Sequence, residues 1–207
     1  MPATRTSPNR TPSTTGRRTR RAASPDAVSV LKADHREVEK LFTQFERTGD
    51  GAHKTKRKLV DRMITELSVH AAIEEEVLYP AARQEIPDAL EDVLEALEEH
   101  HVVKWQLSEL TGLDPKDERF DAKVTVMAEH VRHHVKEEEG ELFPILRQHL
   151  GRKRLVELGG LLTEAKRGAP TRPHPRSPDT PPSNLLPNAV AGAVDKARDL
   201  VGSMTSR

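Results

Sequence analysis

Six side chains in this sequence have the types and the spacing to hold metal ions. His70 and Glu74 stand four residues apart in His70-Ala-Ala-Ile-Glu74-Glu75-Glu76-Val-Leu-Tyr79-Pro80, and His134 and Glu138 repeat the arrangement in His134-Val-Lys-Glu-Glu138-Glu139-Gly-Glu-Leu-Phe143-Pro144. In both copies a Pro follows the Glu by six residues. Each copy is preceded by a further His: His35 lies 35 residues before His70, and His100 lies 34 before His134. This is an internal duplication of a helical hairpin. On a helix, residues four apart share a face, so each His-Glu pair can reach one centre. Imidazole mixed with carboxylate suits iron, manganese or zinc, whereas calcium and magnesium prefer oxygen alone. The chain has no Cys, which removes thiolate zinc sites, iron–sulfur clusters and disulfides.

An isolated His on a helix is usually solvated or hydrogen bonded. Here the surrounding stripes argue otherwise, and four long helices must carry them. The first opens at Ser24-Pro25-Asp26 with stripe Val28, Leu31, His35, Val38, Phe42, Phe45, and breaks at Gly49-Asp50-Gly51. The second covers residues 54–82 with Met63, Leu67, His70, Glu74, Val77 and Ala81 in line, and Pro80 should bend or loosen its last turn. The third starts at Pro87-Asp88 and aligns Leu90, Val93, Leu97, His100, Val103, Leu107 and Leu110, ending over residues 112–115. The fourth covers residues 119–150 with Met127, Val131, His134, Glu138, Leu142 and Ile145; Gly140 is expected to make room for the Pro144 ring. Each candidate ligand therefore sits in an inward stripe. A lone carboxylate there costs several kcal/mol unless it is protonated, paired or bound to a cation, so four imidazoles and two carboxylates converging on one core form a ligand set.

The expected architecture is all-α: an up-down-up-down four-helix bundle over residues 25–150, a short additional helix at 151–168, a linker with seven prolines at 169–187 and a short amphipathic helix at 188–207. Residues 1–24 hold six Arg and no acid and are expected to be a disordered basic tail, with a nucleic-acid arm or a transit peptide as the weaker readings. The C-terminal helix, with Val190, Val194, Ala197, Val201 and Met204 in line, is expected to fray or dock loosely.

Neighbours of the six complete the picture. His130 and Glu66 lie one turn before His134 and His70 and could finish a shell or sit at its rim. Glu39 could contact the metal or pair with Lys104. His101 and His133 point about 100° away from the ligand face. Glu75, Glu76, Glu137 and Glu139 read as solvated face, and Tyr79 is off the stripe by spacing. His53, His149 and His174 carry no argument.

The set His35, His70, Glu74, His100, His134, Glu138, with Asp34-His35-Arg-Glu-Val38, Glu99-His100-His101-Val-Val103-Lys104 and the two Leu-(Tyr/Phe)-Pro tails, resembles the hemerythrin-like, HHE cation-binding family over residues 27–150. The resemblance implies a four-helix bundle around a carboxylate-bridged non-haem centre of two iron ions, oxo- or hydroxo-bridged, and places the Tyr79 phenolate near the iron. Zinc or manganese would suit the same donors. Invertebrate oxygen carriers of this family have a further His where this chain has Lys104, so the resemblance is to the bacterial or regulatory branch.

Two six-coordinate irons need about twelve bonds; four His, two bridging carboxylates and one bridging oxygen supply about ten. About two positions remain for a small diatomic ligand or peroxide. The expected function is binding or sensing O2 or related small oxidants. The alternatives are an enzyme that decomposes peroxide or reduces nitric oxide, with an electron donor as partner, and an iron-handling or structural bundle. Binding ranks first because no further acid–base group or substrate pocket stands out.

Composition bounds the rest. Aromatics make up only 3 % and β-branched runs are scarce, against a sheet-rich fold. Thirty-three basic and 33 acidic residues cancel, so neither nucleic acid nor an anionic membrane is indicated as partner. With no apolar run near ~20 residues and no apolar leader, a cytoplasmic protein is expected.

Overall fold

The computed structural model describes residues 24–179 and 185–205. The expected disordered tail therefore falls, apart from Ser24, outside the described residues, as do residues 180–184 of the Pro-rich linker. No strand occurs among the described residues. The four long helices form the expected bundle. α1 spans Ala27–Glu46, α2 His53–Ile73, α4 Leu90–Leu110 and α5 Phe120–Glu137; α2 continues through a π-helical turn, Glu74–Leu78, into α3 (Tyr79–Glu85), and α5 through Glu138–Leu142 into α6 (Phe143–His149). α7 (Arg152–Gly168) and α8 (Leu185–Thr205) complete the chain.

The stripes bury as their spacing requires. Val28, Leu31, His35, Val38, Phe42 and Phe45 are all buried on α1, and Val93, Leu97, His100, Val103, Leu107 and Leu110 on α4. Leu90 is half exposed at the start of α4, and Val77 and Ile145 are partly buried. The cap of α1 is Asp26, two residues after Ser24: its carboxylate accepts the Ser29 N–H at 2.7 Å, satisfying an otherwise unpaired donor of the first turn. Gly112 takes the left-handed conformation, φ 78°, that turns the chain out of α4.

The prolines do more than loosen the last turns. Pro80 and Pro144 lack the N–H that would continue an i→i−4 ladder and their rings crowd that carbonyl. The helix answers one turn earlier, with Tyr79 N–H bonded to Glu74 C=O and Phe143 N–H to Glu138 C=O, each five residues back. Such a π turn keeps the hydrogen bonds and inserts a residue into the turn. Gly140 is not needed to seat the ring: a Cβ there would meet nothing, and the equivalent position in the first copy is Glu76.

The core falls into two apolar clusters with the His-carboxylate layer between them. One, at the loop end, joins Leu41, Phe42, Val60, Met63, Leu107, Phe120 and Met127. The other joins Leu31, Ile73, Leu78, Val93 and Phe143 to Leu155, Leu158 and Leu162 of α7. α7 packs along α1 and over the first π turn. Gly159 permits the approach, since a Cβ there would lie 2.4 Å from Pro25 O. α8 docks by its polar side, opposite to the expected stripe: Val190 and Val194 face solvent, while Asp195 is fully buried and accepts from Arg172 N–H and His174 Nε2. No helix among the described residues is long and apolar enough to cross a membrane.

Candidate metal centre

His35 on α1, His70 on α2, His100 on α4 and His134 on α5 each project from the middle of a buried stripe and are no more than 6 % exposed. They meet in pairs. The Nε2 atoms of His35 and His70 are 3.2 Å apart, and so are those of His100 and His134. Glu74 and Glu138 lie between the pairs. Glu74 Oε2 is 3.1 Å from His70 Nε2 and 3.4 Å from His100 Nε2; Glu138 Oε2 is 3.3 Å from His35 Nε2 and 3.6 Å from His134 Nε2. Each carboxylate thus reaches a His of both hairpins. The donor atoms form two overlapping groups, His35-His70-Glu74-Glu138 and Glu74-His100-His134, each within 4.8 Å.

The outward ring nitrogens decide which protons are present. His35 Nδ1 faces Glu139 at 2.9 Å, His100 Nδ1 faces Glu75 at 3.0 Å and His134 Nδ1 faces Glu99 at 2.8 Å; His70 Nδ1 has a longer contact with Asp34, 3.5 Å. A carboxylate at Nδ1 fixes the proton there and turns the Nε2 lone pair inward. Facing lone pairs 3.2 Å apart repel unless a cation or a proton lies between them. Both oxygens of Glu74 and Oε2 of Glu138 also have no hydrogen-bond partner although Glu74 and Glu138 are buried. Buried carboxylate oxygens left in this state are costly without a counter-ion, so the donor set fits metal ions.

Electrostatics follow the same layout. Burial pushes the His70 imidazole down to about 4, with Asp34 opposing; burial also lowers His100, against the pull of Glu75. For His134 burial is outweighed by the Glu138 and Glu99 charges, and its value rises. Burial and then the Glu138 charge hold the Glu74 carboxyl well above the usual range. Glu138 resists burial because His134, His35 and His70 surround it, and lies low. The two carboxyls are thus pushed in opposite directions, Glu74 up and Glu138 down.

Other sequence candidates sit elsewhere. His130 is exposed and bonds to Gln106 at 3.1 Å. Glu39 binds Arg132 through both oxygens, at 2.8 and 2.9 Å, rather than Lys104. Glu66 is half buried on α2 and belongs to none of the donor groups. Tyr79 is the reverse case. Off the stripe by spacing, it is 1 % exposed and donates its hydroxyl to Glu138 Oε1 at 2.9 Å, with His100 Nε2 at 3.3 Å. Burial and the Glu138 charge raise its value well above the ordinary phenol, so without a metal it stands as a neutral hydroxyl. Phe143, its equivalent in the second copy, stacks on His35 with centroids 5.8 Å apart. Glu75, read as solvated, is 2 % exposed and bound to His100 and Lys104. The π turn accounts for Tyr79, since an inserted residue sets the helix phase back; Glu75 is drawn in by its His100 and Lys104 partners. The Pro six residues past each Glu was the signal available for the turn.

The comparisons bear on the family and the fold. Residues 26–146 match the hemerythrin HHE cation binding domain. An uncharacterized hemerythrin-like protein of Schizosaccharomyces pombe is 25 % identical over 169 residues, 81 % of this chain and 82 % of that protein. A DNA nickase of Nostoc is 31 % identical over 121 residues, which is 58 % of this chain and only 33 % of the nickase. Among solved structures, a hemerythrin HHE cation binding domain-containing protein from Mycobacterium kansasii (an Rv2633c homologue) shares the fold, with TM-score 0.60 at 24 % identity, covering 69 % of this chain and 86 % of that one. With more than half its length matched and a buried His-carboxylate layer inside a four-helix bundle, the chain belongs to the hemerythrin HHE cation-binding family.

Proposed function

We propose that the protein holds two iron ions in this layer and uses them to bind O2 or a related small oxidant. His35 and His70 would serve one ion and His100 and His134 the other, with Glu74 and Glu138 shared. The observation that carries the reading is the pair of buried carboxylates, each within reach of imidazoles from both hairpins and each with at least one unpartnered oxygen. Iron suits four imidazoles and two carboxylates, and when bound it supplies reversible electron transfer to the small ligand.

The chain's own contribution is positional. Asp34, Glu75, Glu99 and Glu139 orient the rings. On the loop side of the layer the four imidazoles adjoin a cavity of about 20 Å³, walled chiefly by Val38, Leu67, Val103, Leu107 and Val131. That space is of the order of one water molecule, so it favours a diatomic guest and limits bulk water. On the other side Tyr79 Oη keeps a proton against Glu138 Oε1.

Metal analysis together with the visible spectrum tests the proposal. About two irons per chain, with an absorption that reduction bleaches and air restores, is the expected result. One zinc per chain, or iron whose spectrum ignores air, overturns it. The Tyr79 hydroxyl favours a second reading, turnover of peroxide or nitric oxide, since those reductions consume protons. Steady-state consumption of either compound that collapses in Tyr79→Phe would select that reading over simple binding.

A further inference from the structure

The internal duplication supplies a control for one surface feature. On α4, α5 and the second π turn, a cleft of about 40 Å³ is lined by Asp92, Glu95, Glu99, Glu137 and Glu141, with His134 and Glu138 at its buried end. In the first copy the matching positions are Ala27, Val30, Asp34, Ile73 and Val77. There Ala27, Val30 and Ile73 are buried among leucines of α7, Val77 packs against the same cluster, and Asp34 is tied to Lys166 at 2.5 Å. One groove is thus closed by a helix and apolar side chains. Its twin is left open and carries carboxylates.

We infer that this open groove is the route by which a divalent cation enters the centre. The inference rests on the reading of the His-carboxylate layer as a metal site. Two lining residues, Glu99 and Glu137, share with the neighbouring exposed His133 a set of donor atoms within 4.8 Å of one another, His133 Nε2 lying 3.2 Å from Glu137 Oε1. At the buried end stands Glu138, 2 % exposed with Oε2 unpartnered. Glu99 joins the two: one oxygen faces His133 at 3.8 Å and the other holds His134 Nδ1 at 2.8 Å. A funnel of one charge sign raises the local cation concentration and speeds capture. Imidazole and carboxylate in this set select a transition-metal dication over calcium. The route serves loading, so its residues should set the rate of uptake and not the final occupancy.

The test uses the full-length metal-free chain and ferrous iron under nitrogen, with a chromophoric chelator reporting iron not yet taken up. The variant E95Q/E137Q/E141Q is compared with E109Q/E118Q/E164Q, which removes as much charge from exposed acids outside the cleft; helical circular dichroism checks that both are folded. The cleft variant should reach the parent's iron content about tenfold or more slowly, and added salt should slow the parent much more than this variant. The second variant should load like the parent. Should the triple prove misfolded, Glu141→Gln alone carries the same expectation at reduced size. Unchanged uptake in the cleft variants, or equal slowing in both triples, overturns the route while leaving the centre intact. A parent chain that takes up no iron overturns the centre itself and the route with it.

Discussion

Tyr79 Oη lies 2.9 Å from Glu138 Oε1, so a phenol from the first hairpin is fixed on a carboxylate of the second. Removing that hydroxyl leaves a buried carboxylate oxygen with one donor fewer. Tyr79→Phe should destabilise the metal-free protein by roughly 1–3 kcal/mol, read from urea unfolding, without disturbing its helical content. An unchanged midpoint would mean that the hydroxyl contributes nothing to the fold.

The pH response of the metal-free protein follows from His70. Its folded-state value, about 4, lies below that of a free imidazole, about 6.5. Between these limits the unfolded chain takes up a proton that the folded chain refuses, so stability is full above about 6.5 and falls as the pH drops toward 4. The loss attributable to this residue is roughly 3 kcal/mol. Unfolding midpoints between pH 7 and 4.5 should fall steeply for the parent and less steeply for His70→Leu; parallel slopes would refute the assignment.

Glu75 and Glu139 occupy equivalent positions and each holds the Nδ1 of a His from the opposite hairpin, but Glu75 is buried and Glu139 is about a third exposed. Losing such a carboxylate typically weakens metal binding about 10–100-fold. Competition against a chelator should put Glu75→Gln at the larger end of that range and Glu139→Gln at the smaller, since water can replace only the latter.

Gly159 and Gly192 separate two levels of packing. A methyl at Gly159 would strike Pro25 O and the Asp26 backbone; one at Gly192 would strike Gly168 O. Gly159→Ala should force α7 from α1 and cost about 1–3 kcal/mol, seen as a lower melting temperature. Gly192→Ala should free α8 alone, detected as faster proteolysis of the C-terminal segment at an unchanged melting temperature.

The bundle and the six inward donors were legible because α-helical phase is regular. From His35, His70, His100 and His134, steps of three and four keep to the stripe up to the first carboxylate. Beyond Glu74 and Glu138 the phase changes within a π turn, and Tyr79 moves inward against the arithmetic; Glu75 is buried by its partners His100 and Lys104. His130 lies outside the layer for a different reason: four residues make about 400° of α-helix, so a step back from His134 drifts about 40° around the helix, and His130 is exposed. Glu39 also lies one turn from a core His, and there the long Arg132 side chain reaches it first.

The carboxylates that orient His35 and His100 each come from the other hairpin, while those facing His70 and His134 come from their own. One hairpin therefore contains, once, every kind of part the layer uses: two imidazoles, a shared carboxylate, one ring partner for itself and one for a neighbour. Two identical copies related by a twofold axis would assemble the whole layer. The present chain has joined two such halves and let them diverge at positions the axis no longer constrains, Tyr79 against Phe143 and the α7-covered groove against the open one.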